Sequence, residues 1–220
     1  MLLADERREL CATGHEMART GLVIGASGNI SVRRGDLVAV SPTGVELDRL
    51  SPESIPVLDL EGRVAEAAAG EHAPSSETPM HLAVYGETEA GAIVHTHSTY
   101  GVVVATTMTE LPAVHYYTLL LGGVVRVAPY ATYGTAELAE NVRTALDGRR
   151  AALMANHGGV AVGGTLVEAY ENARLLEWLC GVYVRAKSIG EPRVLSEDDL
   201  RAVTERGFAP PAYPHPRARP

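Results

Sequence analysis

Ala92-Ile93-Val94-His95-Thr96-His97-Ser98 decides how the rest of this chain is read. Three apolar residues in a row mark a buried strand, and Ser98 stands where a helix would begin. Side chains on a strand alternate in direction, so His95 and His97 leave the same face with their imidazoles side by side. At the end of a strand, that spacing makes a chelating pair, and neutral imidazole is the commonest protein ligand for zinc-like ions. A lone histidine there would more often be a buried polar residue with a hydrogen-bond partner. A third histidine shifts the balance. Ala151-Ala152-Leu153-Met154-Ala155 is a second short apolar run, and Asn156-His157-Gly158-Gly159 follows it, so His157 also sits where a buried strand gives way to a glycine turn. Three imidazoles leave one position of a tetrahedral ion open.

Three loops elsewhere have the composition of an anion site. Gly25-Ala26-Ser27-Gly28-Asn29 runs into a strand, with glycines that permit close backbone approach. A strand over 36–41 leads to Pro42-Thr43-Gly44. Pro74-Ser75-Ser76-Glu77-Thr78-Pro79-Met80-His81 sets hydroxyls and a carboxylate at the start of a helix running to about Tyr85, where free N–H groups and the helix dipole favour negative charge. Glu77 by itself reads as an acid that complements that dipole. With His81 it is also one turn apart on one side of the helix.

The remaining pattern alternates helices with short strands. Apolar and small residues over 3–21 recur at three- and four-residue steps, an amphipathic helix stopped by Gly21. Ser51-Pro52-Glu53-Ser54 has the form of a helix start, and 57–60 followed by Glu61-Gly62 that of a strand and hairpin turn. A helix is expected over 99–109, a strand at 113–117, and another at 124–128 ended by Pro129. Thr135 caps a helix ending near Gly148. Thr165 and Glu168 form a capping-box pattern opening a long helix to about Ile189, with Leu166, Ala169, Ala173, Leu176 and Cys180 on its buried face. Ser196 starts a short last helix, and a Pro-rich tail over 209–220 carries Tyr213 and His215. The mixture predicts an α/β protein of three layers around one sheet, a single domain over 1–208 plus that tail.

With 220 residues, 46% hydrophobic and 21% charged, the chain is long enough to bury a core without disulfides or structural metals. The net charge of −8, with only the short Arg33-Arg34 and Arg149-Arg150 pairs, argues against a nucleic-acid surface. No apolar run approaches a membrane span, and the N-terminus lacks the order of a signal peptide, so a cytoplasmic protein is expected. Cys11 and Cys180 have no Cys-x-x-Cys partner and read as buried thiols.

Taken in order, the segments 25–33, 41–44, 74–77, His95-Thr96-His97, 130–134 and Asn156-His157-Gly158 closely resemble those of the class II aldolase/adducin family, over roughly residues 10–205. The resemblance implies a three-layer α/β/α subunit with a mainly antiparallel sheet, assembled as a homotetramer with active sites between subunits. It implies Zn2+ on His95, His97 and His157, and a substrate phosphate held by Ser27, Gly28, Asn29, Thr43, Gly44, Ser75 and Ser76. Glu77 takes the family's catalytic carboxylate position, and Tyr116 matches a tyrosine near the aldehyde. The implied partner is a small sugar phosphate, a (deoxy)ketose 1-phosphate such as L-fuculose 1-phosphate or 5-deoxyribulose 1-phosphate. It would be cleaved to dihydroxyacetone phosphate and a short aldehyde through a zinc-stabilised enediolate. The tail, where the family places another tyrosine, diverges here and leaves only Tyr213, and Tyr133 stands where the family has a phenylalanine.

Within the family, epimerases carry aspartate at the Glu77 position, so glutamate favours aldol cleavage over epimerisation; decarboxylases and dehydratases are the alternatives. An adducin-like binding module would lack the metal histidines. Residues 25–29 do not form a nucleophile elbow, and no phosphate-loop or dinucleotide motif is present. His81 and His115 are expected to support or pack against the site rather than ligate, and Trp178 to lie in the core or a subunit contact.

Overall fold

The computed structural model describes residues 1–208. The tail over 209–220, with Tyr213 and His215, lies outside them. Nine strands form one sheet: β1 (Asn29–Arg34), β2 (Leu37–Val40), β3 (Val57–Asp59), β4 (Val64–Glu66), β5 (Ala92–Thr96), β6 (Glu110–Leu111), β7 (Val125–Ala128), β8 (Ala151–Met154) and β9 (Gly158–Gly163). Their order across the sheet is β4-β3-β2-β1-β5-β9-β8-β7-β6. Every neighbouring pair is antiparallel except β7 with β8.

The period of two along each strand divides the interior into two cores. Ala92 and Val94 of β5, Ile30 and Val32 of β1, and Ala161 of β9 pack on the side covered by α1 (Ala4–Arg19), α3 (Thr99–Thr107) and α5 (Leu166–Ile189). Ile93, Val160, Val162 and Met154 face the opposite way, towards α2 (Thr78–Glu87) and α4 (Ala136–Ala145). The result is the expected three layers, with helices on both faces of a mostly antiparallel sheet. Residues directly opposite in an antiparallel pair share a face. The register Asn29↔His95 and Ser31↔Ile93 therefore puts Asn29, Ser31 and His95 on the α2 side.

Most element expectations hold, including α5, whose Leu166, Ala169, Ala173, Leu176 and Cys180 are all buried. Four differ. The strand expected at 113–117 is absent: β6 ends before Pro112, and a 3-10 helix spans Tyr116–Leu121, with the His115 imidazole accepting a hydrogen bond from the Tyr117 N–H at its start. That side-chain cap gives the backbone an alternative to a ladder. The helix start at Ser51 yields a single 3-10 turn, Pro52–Ser54, because Ile55 precedes Pro56 and is held extended. At α5, Thr165 Oγ1 accepts from Glu168 N as a capping box requires, but the Glu168 carboxylate reaches Gly164 N instead of closing the box. Trp178 is 47% exposed and belongs to an aromatic cluster with His115, Tyr117 and their neighbours, not to the core. No helix among the described residues is long and apolar enough to cross a membrane.

Candidate metal centre and anion cavity

His95 leaves the end of β5 towards α2, as its parity requires, and is fully buried. His97 follows two residues on, its backbone N–H held by the Leu22 carbonyl at 3.0 Å. His157 enters from the tight β8–β9 turn. Asn156 takes a left-handed backbone there (φ 54°), which asparagine tolerates, and Gly158 lies so close to the Thr96 carbonyl that a Cβ would stand 2.1 Å from its oxygen. The three rings form a near-equilateral group with centroids 4.8, 4.9 and 4.9 Å apart. Glu77, immediately before α2, completes it: its Oε2 is 3.0 Å from His95 Nε2 and its Oε1 3.4 Å from His157 Nε2. One ligand atom from each of the four residues lies within 4.8 Å of the others.

This donor set fits a cation. His95 gives its Nδ1–H to the Gly159 carbonyl at 2.9 Å, so its Nε2 carries a lone pair. That lone pair faces the His97 Nε2 at 3.0 Å and the acceptor oxygen of Glu77 at the same distance. Converging acceptors repel unless a positive centre lies among them. Glu77 Oε1 is buried with no hydrogen-bond partner, a second group in want of one. Burial would push the Glu77 carboxyl up, but the imidazoles of His95 and His157 and the Asn29 amide outweigh it and hold the group below the usual carboxylate range. Burial likewise opposes charge on His95, and the adjacent Glu77 carboxylate overrides it and raises the imidazole. His97 falls to about 4, through burial and then through its two histidine neighbours. The cluster thus competes for one shared positive charge, proton or metal.

A cavity of about 330 Å3 opens beside the cluster. Ser27, Gly28, Asn29, Thr43, Gly44, Ser75 and Ser76 all line it, together with Glu77, His97 and His157. The three anion loops expected from sequence therefore converge on one space. Ser75 Oγ accepts from the Glu77 N–H at 3.2 Å, and the start of α2 points its dipole at the cavity. Among the described lining residues there is no lysine or arginine, so any attraction for an anion would have to come from hydroxyls, amides and the helix end. Tyr130, Tyr133 and Asn156 also line the cavity. Asn156 is a lining residue that sequence reasoning missed, although its place beside His157 in a turn is a usable signal.

Tyr116 is not brought to this cavity. It stacks on His115 and packs edge-on to Tyr117 and Phe208, partly exposed. His81 is fully buried and does not join the ligand group. It hydrogen-bonds Asn29 Oδ1 at 2.6 Å, while Asn29 Nδ2 donates to Glu77 Oε2 at 2.9 Å. Burial and the neighbouring His95 hold the His81 imidazole down to about 3, hence neutral.

A mostly antiparallel sheet between helix layers, with a histidine–carboxylate cluster able to hold a metal ion beside a cavity lined largely by hydroxyls and amides, defines an α/β protein with a candidate metal centre. The chain belongs to the class II aldolase and adducin family: the model of the class II aldolase and adducin N-terminal domain matches residues 8–184. It is 43% identical to a 5-deoxy-D-ribulose 1-phosphate aldolase of Bacillus thuringiensis serovar kurstaki, over 94% of this chain and 97% of the relative. It is 36% identical to the L-fuculose phosphate aldolase of Escherichia coli K12, over 90% and 92%. A solved L-fuculose 1-phosphate aldolase superposes with a TM-score of 0.87 at 40% identity, covering 94% of this chain and 98% of that one.

Proposed function

We propose that this protein is a zinc-dependent aldolase that cleaves a (deoxy)ketose 1-phosphate to dihydroxyacetone phosphate and a short aldehyde. The observation that carries the reading is the contact between the Glu77, His95, His97 and His157 cluster, which could hold a Lewis-acid cation, and the hydroxyl-lined cavity, whose lining suits an anion. The relatives' names supply two substrates, 5-deoxyribulose 1-phosphate and L-fuculose 1-phosphate, which differ in the aldehyde they release.

His95, His97 and His157 would hold the zinc. When bound, the cation supplies Lewis acidity for the negative charge that develops on the ketose oxygens as the C3–C4 bond breaks. Ser27, Gly28, Asn29, Thr43, Gly44, Ser75 and Ser76, which line the cavity, bind the phosphate and fix the distance of C3 from Glu77. In cleavage the C4 hydroxyl loses its proton and becomes the aldehyde carbonyl. The C3–C4 electron pair stays with the three-carbon fragment, and C3 gains a proton. Glu77 moves that proton through its unpartnered Oε1.

A tyrosine serves the C4 hydroxyl, and Tyr116 takes that role from a neighbouring subunit. Supporting this, Tyr116 stands outside its own cavity in a partly exposed aromatic cluster with Tyr117 and Trp178, a surface suited to burial between copies in a homotetramer. The reaction belongs in the cytoplasm, in keeping with two unpaired, buried cysteines.

The test is release of dihydroxyacetone phosphate from both sugar phosphates, before and after chelation, with zinc added back. Activity that disappears with chelator and returns with zinc is expected, with light scattering reporting a tetramer. No release from either substrate by a protein carrying one zinc per chain refutes the aldolase.

A further inference from the structure

Five buried side chains join end to end beneath the metal cluster: Tyr85, Ser31, His81, Asn29 and Glu77. The direction of every hydrogen bond follows from the last of them. An ionised carboxylate only accepts, so the Asn29 amide must present its N–H to Glu77 Oε2 and turn its carbonyl to His81. That carbonyl also only accepts, so His81 Nε2 carries the proton at the 2.6 Å contact. A neutral imidazole protonated at Nε2 accepts at Nδ1, so the Ser31 hydroxyl, 2.6 Å away, donates to it. The Ser31 oxygen then accepts from the Tyr85 hydroxyl at 2.7 Å. The link between Glu77, just before α2, and His81 within it thus passes through a residue of β1.

We propose that His81 is a positioning residue, locked by Tyr85 and Ser31 as the Nε2–H tautomer, that fixes the Asn29 amide so that Glu77 Oε2 is pinned and Oε1 alone is left for proton transfer. Glu77 Oε1 has no hydrogen-bond partner and only a 3.4 Å contact with His157, whereas Oε2 takes both the Asn29 amide and the 3.0 Å contact with His95. Without the imidazole, Asn29 Oδ1 loses its donor and the amide keeps only the Glu77 contact. An amide held at one end is free to swing away from the carboxylate, and Oε2 is then no longer pinned. Buried donors and acceptors with one consistent direction of donation specify a single geometry. The inference deepens the aldolase reading and rests on it for the role of Oε1, but not for the wire itself.

The test combines 15N NMR of the histidine side chains in the zinc-loaded full chain with kinetics of His81→Phe and His81→Gln. The nitrogen shifts of His81 are expected to be those of a neutral ring protonated at Nε2. His81→Phe should lower kcat by about 10–100-fold with zinc content retained and KM within about threefold. His81→Gln should restore most of the loss, because its amide N–H can still serve Asn29. A ring protonated at Nδ1, a kcat for His81→Phe within about threefold of the parent, or a glutamine variant as slow as the phenylalanine one overturns the proposal. Should His81→Phe fail to fold, Ser31→Ala serves in its place, with a mixed His81 tautomer and a reduced kcat expected and an unchanged pair of values refuting. A parent protein that cleaves neither sugar phosphate sinks the aldolase reading, and the tautomer measurement then decides the wire alone.

Discussion

Gly28 joins the fold to the site, and replacing it with alanine separates two costs that usually occur together. Its φ of +74° is left-handed, and a Cβ there would stand 2.6 Å from Val23 Cγ1 and 2.7 Å from the carbonyl oxygen of His95. Gly25, in the same loop, also has a positive φ, +55°, but a Cβ there would meet nothing within 4 Å. Both Gly25→Ala and Gly28→Ala therefore incur the left-handed backbone penalty of about 1–2 kcal/mol. Only Gly28→Ala adds overpacking, about 1–3 kcal/mol more, because the His95 carbonyl belongs to a strand paired on both sides and cannot retreat as a flexible side-chain end could. At about 2–4 °C per kcal/mol for a chain of this size, the extra term should lower the melting temperature of Gly28→Ala about 2–12 °C below that of Gly25→Ala. Denaturant melts with and without zinc distinguish this from lost metal stabilisation. Because the displaced atom belongs to His95, chelator competition should also show weaker metal retention in Gly28→Ala than in Gly25→Ala. Equal destabilisation of the two variants would refute the close contact and, with it, the placement of this loop against the metal strand.

Glu77→Gln keeps the shape of the side chain and removes its charge, so kcat for cleavage should fall about 10²–10⁴-fold while KM for the sugar phosphate stays close to the parent's. A rise in KM with kcat preserved would instead assign Glu77 to binding. Cys11 and Cys180 are buried, and burial raises both thiols, with Glu53 and Glu177 respectively adding to the effect. Neither should react with an aromatic disulfide reagent at pH 8 in the native protein, and both should react in denaturant. Rapid native labelling of either would contradict its packing.

The candidate metal cluster was legible because local arithmetic decides its histidines. A period of two sets His95 and His97 on one face, and a strand-to-glycine turn delivers His157, so no long-range information is needed beyond the two strands being neighbours in the sheet. The anion loops were legible only as a set, since hydroxyl-bearing and glycine residues ahead of a helix or strand singly serve as turns and caps, and it is their convergence on one cavity that sets them apart. Tyr116 was legible only through the family resemblance. Its segment read as a strand, and the His115 side chain capping a 3-10 turn overrides that pattern locally. Tyr116 and Tyr117 then stand partly exposed in the aromatic cluster with His115 and Trp178, away from the cavity.

Glu77 was only half legible, and the reason lies in its backbone. The spacing to His81 suggests a helical pair, but Glu77 stands just before α2 with φ −97° and ψ 9°, so its carboxylate turns to the sheet rather than along the helix. What it meets there is set by register. Asn29 lies opposite His95 across β1 and β5, and His95 lies opposite Val160 across β5 and β9. A slip of one residue in β5 would send His95 and His97 to the α5 side and leave Val94 facing Glu77. The same slip would turn Ile93 out of the core it shares with Val160, Val162, Met80 and Val84, all of them buried. The apolar residues between α2 and the sheet therefore fix the geometry of the metal cluster: the burial that stabilises this layer also selects the one register in which carboxylate, amide and imidazoles converge.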